Sequence, residues 1–472
     1  MVRHLLAGST ANFLISFTSL VVMARLFPLD FIADAKAVSV YGGWFSVAFT
    51  FQVHAAFLFF YRENAPQERC LKALALSFVL LAATVSAGAF FVVFPAVYRA
   101  VAIDTVGLTA FSITVGLNLI FAVSPAIYTA LNASNRLTRV MFLYPVATLC
   151  SLLLSYSLDL DVNGYAWLLC SASFSVLALT EWRSHLIFVL RNYRLPGRGY
   201  SAEFGNYAGR TSVSILFETL GDRLDKFVAS RVFGPSVFGK YSVVCFENPI
   251  VGVVLNSYGL ALVKRFHGGT RGREDSFLQV WRGMVRMVTF VTLPISVFLL
   301  LNHEWFIATV FGERFLDVGL VFQIYLTVSL IRYAPFQALL RLEGAVQYNV
   351  AMALGFVASA CVVAAAVVWM RLRWDLVAFA YFAGWLAFNG MAVHFFHSLT
   401  GIRTASVLAL DIWAARLAQC LFAGFTSRFL AAGNVYLGGV LFALLYLAVV
   451  LSWDRDVRGV LGRQWKSWRY SA

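Results

Sequence analysis

Long apolar segments recur along this chain, each about as long as a helix that crosses a lipid bilayer. A helical stretch of about 20 apolar residues matches the hydrocarbon core. The 472 residues are 60% hydrophobic and only 13% charged, and this charged share is about half that of a soluble domain. The sequence therefore predicts an all-α, polytopic membrane protein.

The apolar segments predict roughly 14 transmembrane helices. Six of them are expected at 5–24, 37–61, 73–97, 106–131, 139–158 and 164–190. Six more are expected at 208–232, 238–263, 284–301, 318–341, 349–370 and 375–397. A final pair is expected at 407–428 and 434–453, although Asp411 and Arg416 interrupt the first helix of this pair.

The order of these helices predicts five parts of the chain. An N-terminal six-helix lobe (1–190) is followed by a cytoplasmic linker (191–207) and a C-terminal six-helix lobe (208–397). Two additional helices (398–453) precede a basic cytoplasmic tail (454–472). We expect the two lobes to be pseudo-symmetric.

A short internal repeat supports this symmetry. The segment ARLFPLDF ends the first predicted helix and matches SRVFGPSVFGKY about 206 residues later. In this alignment Arg25 lies over Arg231, and Pro28 lies over Pro235 when Gly234 is treated as an insertion. Two halves in the same orientation, related by an axis along the membrane normal, form one of the transporter repeat patterns.

Lys and Arg are distributed unequally between the two sides of the membrane. With the N-terminus inside, the cytoplasmic segments hold about 23 basic residues and the outer segments about nine, which is a positive-inside bias. This predicts a multi-pass protein with cytoplasmic N- and C-termini. The net charge of +14 then indicates topology and attraction to anionic membrane lipids, and not nucleic-acid binding.

The predicted helix 208–232 is unusually charged for a membrane span. Within ten residues it holds Glu218, Asp222, Arg223, Asp225 and Lys226. At 100° per residue the three carboxylates share one face, and Lys226 can pair with Asp222 one turn away. Because a lipid-facing charge at mid-bilayer costs about 2.5–3.5 kcal/mol, we expect these groups to face protein or a water-filled cavity.

Two interpretations of this acidic face remain open. It can be an ion-pair network that holds the two lobes in register. It can also bind a coupling ion, H+ or Na+, because clustered carboxylates favour a cation or a proton. The candidate ion-coupling residues are Glu218, Asp222, Asp225 and Glu247, and no other cofactor and no metal site is expected.

The repeat segments resemble a known family of transporters. ARLFPLDF and SRVFGPSVFGKY, together with FENPIVGVVLNSYGLALVKRF and VFGERFLDVGLVFQIYLTVSLIRYAPFQALL, resemble the polysaccharide flippases of the multidrug/oligosaccharidyl-lipid/polysaccharide exporter superfamily. The resemblance covers most of the first twelve predicted helices. It implies a central cavity between the two lobes, lined partly by the first and seventh helices.

The resemblance further implies a function. It implies an inner-membrane flippase for an undecaprenyl-pyrophosphate-linked oligosaccharide, the repeat unit of an O-antigen or exopolysaccharide. Polysaccharide polymerase and chain-length proteins are candidate partners. Because guanidinium and ammonium groups bind phosphate oxygens, the candidate headgroup-binding residues are Arg332, Arg223, Lys226, Arg62 and Arg25.

Three alternative functions remain open. The count of 14 helices also fits lipid II flippases, but the arginines of their first helix are absent where Asn12, Ser16, Thr18 and Ser19 stand. A multidrug/cation antiporter of the same superfamily is the second alternative. A membrane glycan polymerase or ligase is the third, although the outer loops are too short for the catalytic loop expected of such an enzyme. We therefore expect a transporter and no catalytic residues.

Overall fold

Regular structure in this protein is helical. The computed structural model describes residues 2–50, 53, 56–57, 68–98, 102–130, 134–180, 198–245, 274–336, 338–339, 345–369, 374–431 and 434–453, with isolated residues between 251 and 272. Among these residues there is no strand. Ten segments are long and apolar enough to cross a membrane. The chain is thus an all-α, multi-pass membrane protein.

The helices before residue 246 are α1 (Val2–Leu26), α2 (Leu29–Ala48), α3 (Glu68–Val97), α4 (Thr105–Ala130), α5 (Ser134–Ser157), α6 (Val162–Thr180), α7 (Arg198–Val232) and α8 (Pro235–Val244). Those after it are α9 (Glu274–Leu301), α10 (His303–Val310), α11 (Gly319–Ile331), α12 (Ala345–Trp369), α13 (Trp374–Thr400), α14 (Thr404–Leu408), α15 (Leu410–Leu430) and α16 (Val435–Trp453). A 3-10 turn, Glu313–Val318, precedes α11. Most predicted spans correspond to one of these helices.

The second predicted span began too late. Helix α2 begins at Leu29 and not at 37, so Asp30, Asp34 and Lys36 are inside the helix. Asp34 is fully buried, and its carboxylate accepts hydrogen bonds from the Tyr98 hydroxyl at 3.0 Å and the Ala102 N–H at 2.9 Å. This buried charge inside the helix is tolerated because two donors replace its water.

Two compact units divide the described chain. The first comprises 1–245 and 348–384, and the second 246–347 and 385–472, so the division falls inside α13. Helices α7 and α8 thus belong to the same unit as α1–α6. The pseudo-symmetric lobes predicted at 1–190 and 208–397 differ in extent from these units and stay a prediction. Most of the predicted linker and all of the tail lie outside the described residues.

In the first unit, the N-terminal part of α7 is built into the core. Phe204 and Ala208 are buried in one cluster with Leu76 of α3 and Leu119 of α4. At its other end, α7 turns into α8, which packs on α2. A Cβ on Gly239 would lie 2.8 Å from the Leu29 carbonyl oxygen, so only glycine permits this approach of the two backbones.

The turn between α7 and α8 repeats the turn between α1 and α2. Pro28 has φ −67° and ψ 157°, and Gly234 has φ −62° and ψ 157°. The N–H of Ile32 bonds to the Pro28 carbonyl, and the N–H of Phe238 bonds to the Gly234 carbonyl. Both pairs are 206 positions apart. Treating Gly234 as an insertion was therefore wrong, because Gly234 is the counterpart of Pro28.

In the second unit, the C-terminal pair α15 and α16 packs on α9. A shared core contains Leu293 and Val297 of α9, Cys420 of α15 and Phe442 of α16. Helix α15 contains both Asp411 and Arg416 without a break. Asp411 forms an ion pair with Arg282 of α9, and the buried Arg416 donates a hydrogen bond to the Gln419 side chain at 2.9 Å.

Candidate functional site: the charged face of α7 and the break after α11

The five charges clustered between Glu218 and Lys226 lie on α7, a helix that is longer than predicted, with 35 residues. Glu218, Asp222, Arg223 and Lys226 are partly buried, whereas Asp225 is only 1% exposed. Such groups require partners, because an uncompensated buried charge is costly. Their contacts within the first unit show what α7 is fixed to.

Glu218 connects α7 to α12. Its carboxylate accepts a hydrogen bond from the Tyr348 hydroxyl at 2.8 Å. One residue earlier, the ring of Phe217 lies 5.9 Å from the ring of Phe356, measured between centroids. Gly221 also lies close to the backbone of Phe356. The middle of α7 is thus held against α12 by one polar contact and one aromatic contact.

Arg223 connects α7 to α2. Its Nη1 donates to the backbone carbonyls of Ser39 at 3.1 Å and Val40 at 2.9 Å. The guanidinium lies so close to α2 that a Cβ on Gly43 would be 2.5 Å from Nη1. Gly43 therefore makes room for this cation, which also interacts electrostatically with the neighbouring Asp222.

Asp225 connects α7 to α8. The Tyr241 hydroxyl donates to its carboxylate at 2.6 Å, in a fully buried contact. Nearby, the hydroxyls of Tyr41 of α2 and Ser230 of α7 form a buried hydrogen bond of 2.9 Å. Short hydrogen bonds to a charged acceptor are stronger than neutral ones, so this end of α7 is firmly attached.

Lys226 lies over the ring of Tyr381, with Nζ 5.5 Å from the ring centroid. This is a cation–π contact. Lys36 of α2 is close enough to Lys226 for the two charges to repel each other. The predicted pairing of Lys226 with Asp222 stays a prediction.

These contacts leave both interpretations of the acidic face as predictions, since they are hydrogen bonds within the first unit and not ion pairs between the predicted lobes. Glu218, Arg223 and Asp225 each attach α7 to another helix of the first unit. Bracing and ion coupling are compatible, since the two oxygens of a carboxylate offer about four lone-pair sites. Two ammonium groups, Lys36 and Lys226, lie beside this face.

Arg332 lies at a break in the chain and not within a helix as predicted. Helix α11 ends at Ile331, and residues 332–335 are not helical. The reason is Pro335, which has no N–H to donate to the Ile331 carbonyl. The guanidinium of Arg332 lies 3.9 Å from the ring centroid of Trp385 in α13.

The structure brings together only part of the predicted site. Glu218, Asp222, Arg223, Asp225 and Lys226 share α7, whereas Arg332 belongs to the other unit. Arg25 is exposed in the last turn of α1. Arg62 and Glu247 lie outside the described residues. Within the described part, no three His, Cys, Asp or Glu residues are grouped for a metal ion.

Sequence reasoning missed several residues of the site. Lys36 and Asp34 were missed because the second span was started after them. Both residues lie about two helical turns after the Pro28 turn. This spacing was a signal that they belong to the helix that begins there. Tyr241 and Tyr348 had no such signal, because their partners on α7 are distant in sequence and only folding brings them together.

The fold has counterparts among solved structures. The lipid II flippase MurJ in an inward closed conformation matches with a TM-score of 0.73 over 96% of this chain and 99% of that chain, at 12% identity. An inward-facing multidrug resistance MATE transporter of the MOP superfamily matches with a TM-score of 0.63 over 84% of this chain and 98% of that chain, also at 12% identity.

A third match is a MOP superfamily transporter from Pyrococcus furiosus, with a TM-score of 0.55 and 10% identity over 86% of this chain and 95% of that chain. No protein-family model and no curated protein matches the sequence. At such low identities the structural matches establish the fold. The chain has the helical fold of these membrane transporters.

Proposed function

We propose that the protein is a flippase that moves an undecaprenyl-pyrophosphate-linked oligosaccharide, the repeat unit of an O-antigen or exopolysaccharide, across the inner membrane. The headgroup enters a polar cavity from the cytoplasm while the polyprenyl chain stays in the lipid. Rocking of the protein then exposes the headgroup outside. No covalent bond changes, so the protein acts as a transporter, and its two termini face the cytoplasm.

The extent of the fold match carries this proposal. The lipid II flippase structure corresponds to 96% of this chain, and the MATE structure to 84%. The unmatched 4% of 472 residues is about 19 residues, so the flippase match must extend into the C-terminal pair α15 and α16. A fold shared with a lipid flippase over this length favours a lipid-linked substrate over a small drug.

Cations inside the membrane suit an anionic headgroup. A pyrophosphate carries about two negative charges and is well matched by guanidinium and ammonium groups. Lys226 and Arg332 both lie against aromatic rings, and Lys36 lies near Lys226. We keep Arg332, Arg223, Lys226, Arg62 and Arg25 as the candidate headgroup-binding residues.

Alternating access requires a ligand or an ion that favours one conformation over the other. We assign coupling to H+ or Na+ to the acidic face of α7, with Glu218, Asp222 and Asp225 as its candidate residues. Glu218 and Asp225 already accept hydrogen bonds from tyrosines, and Glu247 remains a candidate. Anionic lipids, polysaccharide polymerase and chain-length proteins remain the expected partners.

Reconstitution of the purified protein tests this function. Proteoliposomes would contain a fluorescent undecaprenyl-pyrophosphate-linked oligosaccharide, and quenching from outside would report its movement between leaflets. We expect transport of this lipid and none of ethidium, a cationic drug. Drug transport without lipid movement would instead assign the chain to the multidrug antiporters.

Lipid II is the second candidate substrate, because the lipid II flippase matches over nearly the whole chain. The same proteoliposomes loaded with lipid II distinguish the two. A deletion strain gives an independent answer. Loss of surface polysaccharide with normal growth supports the proposed substrate, and arrest of cell-wall growth with accumulated lipid II supports the alternative.

A further inference from the structure

The break after α11 exposes backbone carbonyls that a continuous helix would satisfy. In such a helix the Ile331 carbonyl would accept from residue 335, but Pro335 has no N–H. Inside a membrane an unsatisfied carbonyl costs several kcal/mol, so neighbouring side chains must supply donors. The structure shows where these donors come from.

Two neighbouring helices satisfy the freed carbonyls. Asn389 of α13 donates from Nδ2 to the Ile331 carbonyl at 3.1 Å. Trp413 of α15 donates from Nε1 to the Leu330 carbonyl at 3.0 Å. The end of α11 is therefore fixed from two sides, and one of them is the C-terminal helix pair.

A third contact fixes the residue that follows Arg332. The Tyr333 hydroxyl donates to the Leu408 carbonyl, at the end of α14, at 2.7 Å. The ring of Tyr333 also lies 5.8 Å from the ring of Trp413. Arg332 thus lies between two anchored residues, and its direction depends on them.

The guanidinium of Arg332 lies beside a buried N–H, that of Trp385, which makes no hydrogen bond within the described residues. A buried donor without an acceptor is costly and calls for an explanation. An anionic oxygen of a bound headgroup would satisfy this N–H beside the guanidinium.

We propose that Asn389 and Trp413 are positioning residues for Arg332. By satisfying the carbonyls of Ile331 and Leu330, they hold the non-helical segment in the one conformation that places the guanidinium over Trp385, ready for a pyrophosphate. The C-terminal helix α15 thereby contributes to headgroup binding without touching the headgroup. This inference rests on the proposed function of Arg332.

The chain offers a matched control. Tyr446 of α16 donates to the Phe290 carbonyl of α9 at 3.1 Å, and this carbonyl is freed by Pro294 in the same way. Helix α9 continues through that proline, and the cation that lies against Phe290 is Arg416 of α15, 5.9 Å from the ring centroid, and not Arg332. Tyr446→Phe therefore removes an equivalent bond from the C-terminal pair without affecting Arg332.

The test measures binding of farnesyl pyrophosphate, a short prenyl pyrophosphate, to the full-length protein in detergent, with farnesol as the uncharged reference. We expect Arg332→Gln to weaken binding about tenfold or more. Trp413→Phe and Asn389→Leu should each weaken it about three- to tenfold. Neither should add to the loss in Arg332→Gln, and Tyr446→Phe should bind like the wild type.

Hydrogen–deuterium exchange of the segment 328–336 gives a second measurement that needs no ligand. The Arg332 N–H bonds to the Val328 carbonyl at 3.0 Å, so its exchange should accelerate in Trp413→Phe and Asn389→Leu but not in Tyr446→Phe. Unchanged exchange in both capping variants would overturn the inference, whatever the binding data show.

The two proposals fail in different ways. If the wild type binds farnesyl pyrophosphate no better than farnesol, the proposed substrate is wrong, and the exchange data alone decide whether the two residues position the segment. If Arg332→Gln loses binding while both capping variants keep wild-type affinity, or if the losses add, the headgroup site stands and the positioning inference is wrong.

Discussion

The middle of α7 and the end of α11 both contain polar groups that are costly to bury. The protein stabilises these two regions in opposite ways. In α7 the backbone is a regular helix and the side chains carry the charge, so tyrosine hydroxyls and backbone carbonyls of neighbouring helices satisfy the charged groups. At the end of α11 the backbone is irregular, and side-chain donors from α13 and α15 satisfy it.

In both regions a neighbouring helix supplies the partner of the polar group, whether that group belongs to a side chain or to the backbone. A charge on a side chain attracts a hydroxyl or carbonyl, and a freed carbonyl attracts an indole or amide N–H. In both regions the partner is distant in sequence. Each region also keeps one cation against an aromatic ring, Lys226 on Tyr381 and Arg332 on Trp385.

The largest effect is expected from a test of whether Asp222 only holds α7 in place or also takes part in transport. Asp222→Asn should lower transport of the lipid-linked oligosaccharide about tenfold or more. The substitution removes a carboxylate assigned to the coupling ion, whose binding shifts the population from one conformation to the other. The melting temperature in detergent should stay near that of the wild type. Intact transport with impaired folding would show that Asp222 only braces the helix.

An effect smaller than that of Asp222→Asn is expected at Asp225, the most buried of the five clustered charges of α7. Tyr241→Phe removes the hydroxyl donor to Asp225 and should lower the free energy of unfolding by about 2–3 kcal/mol, since a buried charged acceptor loses a bond. Tyr348→Phe at the half-buried Glu218 is the matched control and should cost about 1 kcal/mol. Equal losses in the two variants, measured by reversible unfolding in mixed micelles, would contradict the assigned difference in burial.

The close approach of Arg223 to α2 predicts a steric effect. Gly43→Ala should destabilise the protein by about 1–2 kcal/mol, because the added methyl displaces the guanidinium from the Ser39 and Val40 carbonyls. Gly88 of α3 has open space around it, so Gly88→Ala should cause no loss. Thermal unfolding of the two variants side by side measures the difference.

The smallest effect is expected at the exposed ion pair between α9 and α15. Asp411 and Arg282 are 62% and 35% exposed, so Asp411→Asn should cost about 0.2–1 kcal/mol and less at high salt. A cost larger than that of Tyr241→Phe would mean that the C-terminal pair depends on this ion pair and not on its apolar packing against α9.

Much of the fold could be predicted from the sequence, because membrane helices are defined by long apolar segments. The spans at 73–97, 106–131 and 349–370 correspond closely to α3, α4 and α12. The errors occurred where a polar residue or a proline lies inside a span. The span predicted to begin at 37 left out Asp34 and Lys36, which lie inside α2, and Pro335 created a boundary that the apolar run concealed.

The candidate site could be predicted only in part. Glu218, Asp222 and Asp225 were identified because periodicity places them on one face of a helix, and Arg332 because an arginine within an apolar span is unusual. Their partners could not be identified, since nothing near Tyr241, Tyr348 or Trp413 in the sequence distinguishes them from residues that only pack.

By itself, the sequence determined that the chain crosses the membrane many times. It also determined which residues have a high free-energy cost of burial there. Those properties depend on length, hydropathy and helical period, which are local. Only the tertiary structure decided that Asp225 is bound to Tyr241, that Arg332 follows a helix end, and that α15 holds that end in place. Such pairings depend on which helices pack together, because a polar group in lipid must find its partner on whichever helix lies next to it.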